Sequence, residues 1–360
     1  MTQSAPALPD TLPAEWRTTL AGAGAVFDDH GHVDRFADIR DEVRAAADAT
    51  VVADLSPLSL LRTEGADAQA FLQGQFSNDI REVSESRSQL SAYCSPKGRM
   101  LAVFRIFQRG AAYYLQLPAA IAEPTARRLR MFILRAKVKL DPADNELLRI
   151  GVSGPQAEAL VAAAAGGVPP TVDAGLTQDG VTVLRLPGPH PRFELLAPPA
   201  RMQELWKSIA AAARPVGAHA WAWLDIAAGI PTVLPETVEE FVPQMANLEL
   251  VGGVSFKKGC YPGQEIVARM HYLGTLKQRM VRAYLADAGC PAPGTKLYAS
   301  EFGEQSAGTV VDAQPSPHGG CDLLAVAQLT AVQGGGLRVA ALNGPVLALS
   351  PLPYSLGAAS

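Results

Sequence analysis

The sequence predicts an α+β protein built in more than one body, and three observations carry that prediction. Apolar residues at strand period and at helix period alternate along most of the chain, without the regular strand–helix–strand repeat of a parallel sheet. Beyond about Leu276 the composition changes to short apolar runs parted by Gly, Pro and Asp, which reads as a small β-barrel or sandwich. The length, 360 residues, exceeds one ordinary core, and 48% of the residues are hydrophobic, enough to fill several. The expected division is an N-terminal extension over 1–49, an α+β region over 50–275 and the barrel over 276–360.

In the extension, residues 34–43 have helical apolar spacing. Residues 51–55 and 58–65 read as strands, the second ending at Gly65, and Asp67 can cap a helix whose stripe is Phe71, Leu72 and Phe76. Runs at 90–93 and 100–107 flank Cys94-Ser95-Pro96-Lys97-Gly98-Arg99 and predict a hairpin with a Pro/Gly turn. A strand follows at 113–117, then an arginine-rich helix at 123–134. Strands are expected at 147–150, 181–186 and 192–196, and helices at 156–165 and 201–212. The last region gives strands at 280–285, 296–298, 308–311, 323–328 and 337–341.

Several function classes are disfavoured. With 31 Lys and Arg against 35 Asp and Glu, the net charge of -4 does not suit a protein that coats nucleic acid, and no DNA partner is expected. The first residues lack a positive segment followed by an apolar one, and no stretch reaches bilayer length, so a cytoplasmic protein without a membrane partner is expected. Cys94, Cys260, Cys290 and Cys321 show no paired spacing, which argues against a zinc site or a disulfide framework; Cys290 and Cys321 read as core or turn thiols. Asp28, His30 and His32 are metal-friendly, but without a second cluster they read as a solvated loop, and no metal is expected. No phosphate-binding glycine motif is present.

The chemistry concentrates in Lys257-Lys258-Gly259-Cys260-Tyr261-Pro262-Gly263-Gln264-Glu265. One cysteine stands beside two lysines and a Pro-Gly turn, ahead of a helix expected from Ile266. Ammonium groups and a helix N-terminus both favour thiolate, the reactive form of cysteine. A structural cysteine buried at a tight turn is the competing reading. A second feature is the basic stretch Arg127, Arg128, Arg130, Arg135, Lys137 and Lys139, which suits an anionic partner such as tRNA or, more simply, a solvated helix face.

Three segments in order resemble the folate-binding aminomethyltransferase superfamily: 65–79 (Gly-Ala-Asp-Ala-Gln-Ala-Phe-Leu-Gln-Gly-Gln-Phe-Ser-Asn-Asp), Ala228-Gly229-Ile230-Pro231, and the Cys260 run. The likeness is closest to its YgfZ branch, whose K-G-C-Y-x-G-Q-E signature is filled by residues 258–265. The resemblance implies an aminomethyltransferase-like fold, two α+β lobes around a central folate channel with a C-terminal barrel. It implies tetrahydrofolate as cofactor, with Trp221 as a stacking platform and Lys258, Gly259, Tyr261, Gly263, Gln264, Glu265 and Arg269 lining the site. It further implies an accessory role in assembling or repairing iron–sulfur clusters. Cys260 would act as the functional thiol, with transient cluster contact, and iron–sulfur client enzymes and assembly proteins as partners. Departures from the superfamily bear on activity. No carboxylate lies in 98–103, where the amine-transferring enzymes carry an aspartate; Leu58 stands for a tryptophan and Ala227 for a glutamate. The chain therefore reads as an assembly factor, with a folate-dependent aminomethyl- or methyltransferase as the alternative.

Overall fold

The computed structural model describes residues 12–272, 274, 276–286 and 289–356. The chain forms two units: Met1–Gln73, Asp79–Gln89 and Phe104–Trp221 make the first, and Gly74–Asn78, Leu90–Val103 and Ala222–Ser360 the second.

The first unit is organised on a six-stranded sheet in the order Gly175–Gln178, Val181–Leu186, Arg192–Ala197, Leu148–Ser153, Val51–Asp54 and Arg214–Val216. All neighbours are antiparallel except the last pair. Side chains alternate across a strand, and here the alternation separates two environments. Ile150, Val152, Phe193 and Leu195 enter a core with Val161, Leu205 and Trp206. Arg149, Gly151, Arg192 and Glu194 take the intervening positions. Residues 12–49, expected as an extension, are built into the same core. Trp16 is fully buried and meets Trp206 edge-on at 5.6 Å. The helix expected at 34–43 runs instead over Ile39–Asp48. The Asp38 carboxylate accepts from the Arg40 and Asp41 amides and sets its start, while Val33–Arg35 pairs as a strand with Val26–Phe27. The arginine-rich helix spans Ala119–Arg130, four residues earlier at its start and end than expected.

In the second unit, six antiparallel strands follow the order Arg338–Val339, Lys296–Tyr298, Gly308–Pro315, Cys321–Gln328, Gln278–Leu285 and Ala348–Ser350. This sheet curls into a half-barrel around Val281, Leu297, Val310, Leu323 and Ala325. The strand expected at 337–341 shortens to two residues because Ala340 turns to φ 65°, and Leu329–Gly334 adds a helix that the run of small residues did not announce. Cys290 and Cys321 are joined by a disulfide with Cα atoms 5.3 Å apart. This overturns the expectation of separate thiols: the two lie 31 residues apart in sequence, and only the folded sheet brings them together. The expected hairpin is present as Gln89–Cys94 and Met100–Arg109, and the second of these strands begins in the second unit and ends in the first.

Candidate functional site

The Cys260 loop is held from below by the lysine two residues earlier. Lys258 is 6% exposed. Its ammonium donates to the Phe76 carbonyl and, at 3.0 Å, to the Asn78 carbonyl, and lies 5.1 Å from the centre of the Tyr261 ring. The residues that receive it are fixed in turn. Ser77 Oγ donates to the Gly253 carbonyl at 2.7 Å, and Asn78 Nδ2 to the carbonyls of Leu90 and Gly252 at 2.9 and 2.6 Å. Two of the three signature segments thus meet here. Lys258 had been expected to stabilise the Cys260 thiolate; instead its charge is buried against backbone oxygen, and its part is to anchor the loop. Lys257, Gly259 and Cys260 are exposed, so the thiol faces solvent and the reading of a buried turn cysteine falls away.

Beyond the thiol the chain makes a tight backbone contact. Gly263 adopts φ 79°, and a Cβ there would stand 2.4 Å from the Ser95 carbonyl and 2.6 Å from Gly98 Cα. Only glycine meets both demands. The Pro-Gly pair therefore seats the loop on the 95–98 hairpin turn, and the helix expected from Ile266 begins two residues earlier, spanning Gln264–Tyr272. That helix is tied down by Val267, whose carbonyl accepts from Gln244 Nε2 at 2.6 Å. Glu265 and Arg269 are exposed on it and Gln264 is half-buried. His271 stacks on Phe256 with ring centres 3.7 Å apart. Tyr261 is buried beside Cys94, and burial followed by that neighbour pushes its phenol up, so it stays neutral as a wall of the loop. Burial pushes the Cys94 thiol up to about 12, which leaves Cys260 as the accessible free thiol.

Trp221 lies on the helix Ala218–Ala228 in the first unit. Its indole is 5% exposed. A Cβ on Gly151 would come within 2.3 Å of the ring, and the Arg192 guanidinium carbon stands 4.0 Å from the ring centre. The ring is thus packed between the Gly151 position and the Arg192 guanidinium. Sequence reasoning missed what lies around it. Glu194, the cross-strand partner of Gly151, is 1% exposed, and its Oε1 accepts from Gln116 Nε2. Burial pushes Glu194 up to about 7, against the opposing pull of Arg105, Arg149 and Arg192. Arg105, Gln116, Arg149 and Arg192 are all buried. The signal was available: alternate charged positions on two adjoining strands whose other face is apolar. Asp28, His30 and His32 form a turn in which the Asp28 carboxylate accepts the His30 and His32 amides at 2.9 and 2.8 Å. Among the described residues no group of three or more metal-ligating side chains comes together.

Residues 13–172 match the GCVT N-terminal domain family. The fold is similar to that of the glycine cleavage system aminomethyltransferase T from Bartonella henselae, with a TM-score of 0.78 over 95% of this chain and 97% of that one at 19% identity. Three curated relatives are each named tRNA-modifying protein YgfZ. That of Colwellia psychrerythraea is 30% identical over 312 residues, covering 85% of this chain and 94% of its own length. That of Yersinia pseudotuberculosis is 32% identical over 304 residues, with coverage of 84% and 92%. The chain belongs to the YgfZ family. The Cronobacter sakazakii YgfZ, 31% identical, spans 83% of this chain and 94% of its own, so the likeness runs through both units. Within this YgfZ-family chain no helix of the described residues is long and apolar enough to cross a membrane.

Proposed function

We propose that this chain is a tetrahydrofolate-binding accessory factor for assembly or repair of iron–sulfur clusters in client enzymes, a tRNA-modifying methylthiotransferase among them, acting in the cytoplasm with assembly proteins through the thiol of Cys260. The observation that carries the reading is the construction of the Cys260 loop. An exposed cysteine sits on a turn immobilised by a buried ammonium group on one side and a glycine-to-glycine backbone contact on the other. A turn needed only for packing has no use for an exposed thiol in so fixed a place. Protein-bound clusters take about four thiolates, so one cysteine serves a cluster in transit and not a resident one. The relatives' name supports a role in tRNA modification.

The first unit offers groups that fit a reduced pterin. The pterin edge presents adjacent N–H donors that suit one carboxyl group, and Glu194 is a buried carboxyl close to neutrality. Arg149 Nε is buried without a hydrogen-bond partner, and Trp221 gives an aromatic wall. Glu194 and Trp221 would hold the ring, and the folate would supply a carrier nitrogen for one-carbon units. The buried guanidinium groups limit the rise that burial imposes, so that the carboxyl changes protonation near neutral pH and can accept hydrogen bonds as well as share a proton.

Two measurements test this. Tetrahydrofolate titrated against tryptophan fluorescence should bind the wild type and lose at least about tenfold in affinity in Glu194→Gln, a loss of one buried charged hydrogen bond. Equal affinity would remove Glu194 from the site. In a strain lacking the protein, Cys260→Ser should fail to restore tRNA methylthiolation; full restoration would end the thiol's role.

A further inference from the structure

The end of the helix Ala119–Arg130 carries a surface that the sites above do not use. Three large apolar side chains stand in solvent there: Met131 is 62% exposed, Phe132 46% and Leu134 87%. Residues of this kind clustered on a surface mark a binding face. The segment is also built. Phe132 and Ile133 amides close the helix end on the Leu129 and Arg130 carbonyls at 3.0 and 3.2 Å, and the Ala136 amide closes a turn on the Ile133 carbonyl at 2.8 Å. Its base is clamped. The Lys137 amide donates to Asp67 Oδ2 at 2.8 Å, and the Lys137 carbonyl packs so tightly on Gly65 that a Cβ there would be 2.0 Å away. At the tip Leu134 is held at φ 44°, a conformation that strains an L side chain and that glycine adopts freely.

The segment itself carries charge of one sign. Between residues 124 and 140 there are six cationic residues and no carboxylate. The Arg127 and Lys139 side chains are 71% and 70% exposed, each near one flanking carboxylate, Glu123 and Asp141. Arg135 and Lys137 are exposed as well. Beside the tip runs a groove lined by Glu64, Gly65, Ala66, Ala111 and Val138, with Lys137 and Lys139 beside them; the Glu64 carboxylate is taken up by Arg62 at 2.5 Å.

We propose that the Met131–Lys139 tip and its groove dock a protein partner that presents an apolar cleft or segment bordered by carboxylates. A phosphate backbone would use the cations, and Phe132 offers one ring on which a base could stack, but Met131 and Leu134, the two most exposed of the three, would be left in water. A lipid surface would take both features but has no need of a leucine locked in one strained conformation; a preformed shape favours a partner that is itself shaped. The cations steer and orient, and the apolar tip supplies the anchor.

The test uses the purified full chain and three probes: a fluorescein-labelled amphipathic peptide of alternating leucine and glutamate, bulk tRNA, and phosphatidylglycerol vesicles. The peptide should bind, more weakly as salt rises. Leu134→Gly and the pair Arg135→Glu with Lys137→Glu should each weaken it by about tenfold, the effect of losing one anchor or its steering charges. Because glycine relieves the strain at this position, Leu134→Gly should melt no lower than wild type, which separates lost docking from lost folding. Peptide binding indifferent to both variants, or tighter binding of tRNA or vesicles that depends on the same residues, would overturn the proposal.

Discussion

At Glu194, burial and three guanidinium groups compete, and the outcome sets a pH dependence. The folded carboxyl releases its proton at about 7 against an ordinary value of 4.5. Between these limits the unfolded chain has lost the proton and the folded chain keeps it. Stability is therefore fully present below about pH 4.5 and is lost as pH rises toward 7, by roughly 3 kcal/mol for this one group. Glu194→Gln should flatten the fall in melting temperature between about pH 5 and 7; an unchanged slope would place the titrating group elsewhere. Residue types also show what sequence could and could not tell. The signature marked Cys260 as the thiol to watch, and the fold leaves it accessible. Lys258 beside it looked like an electrostatic neighbour, yet its partners, the Phe76 and Asn78 carbonyls, lie about 180 residues away in sequence and leave no trace in local composition.

Among the elements, those specified by local chemistry were the legible ones. The hairpin around Pro96 and Gly98 and the helix Ala157–Ala165, closed by Gly166 at φ 81°, follow from turn residues and capping. The helix Ala119–Arg130 was displaced because its end is set by tertiary contacts that draw Lys137 onto Gly65 and Asp67. The loop 257–263 is the element on which the thiol's placement rests, and it has a direct test. Lys258→Met removes the donor from two buried carbonyls and should lower stability by about 2–4 kcal/mol, read as a drop in melting temperature. A variant that melts with the wild type would mean that the ammonium group does not hold the loop.

On the scale of the molecule, the thiols, all four of them in the second unit, give a count that checks how that unit is assembled from distant segments. Without reductant, iodoacetamide should label Cys260 in the folded protein, Cys94 only after denaturation, and Cys290 and Cys321 only after reduction. Labelling of Cys290 in the untreated protein would contradict the pairing. The α+β class and the β-rich C-terminal region were readable from periodicity, because each strand there needs only its own alternation. The division into units was not, since it depends on which distant segments pack together. Residues 74–78 and 90–103 belong with a partner that begins at Ala222. During synthesis those two pieces leave the ribosome long before the C-terminal half that completes their unit. They must wait, with Phe76 and Tyr93 uncovered, until translation is nearly finished. A nascent chain of this design keeps apolar surface open for longer than one whose units follow each other in order, and a truncation ahead of Ala222 strands both pieces at once.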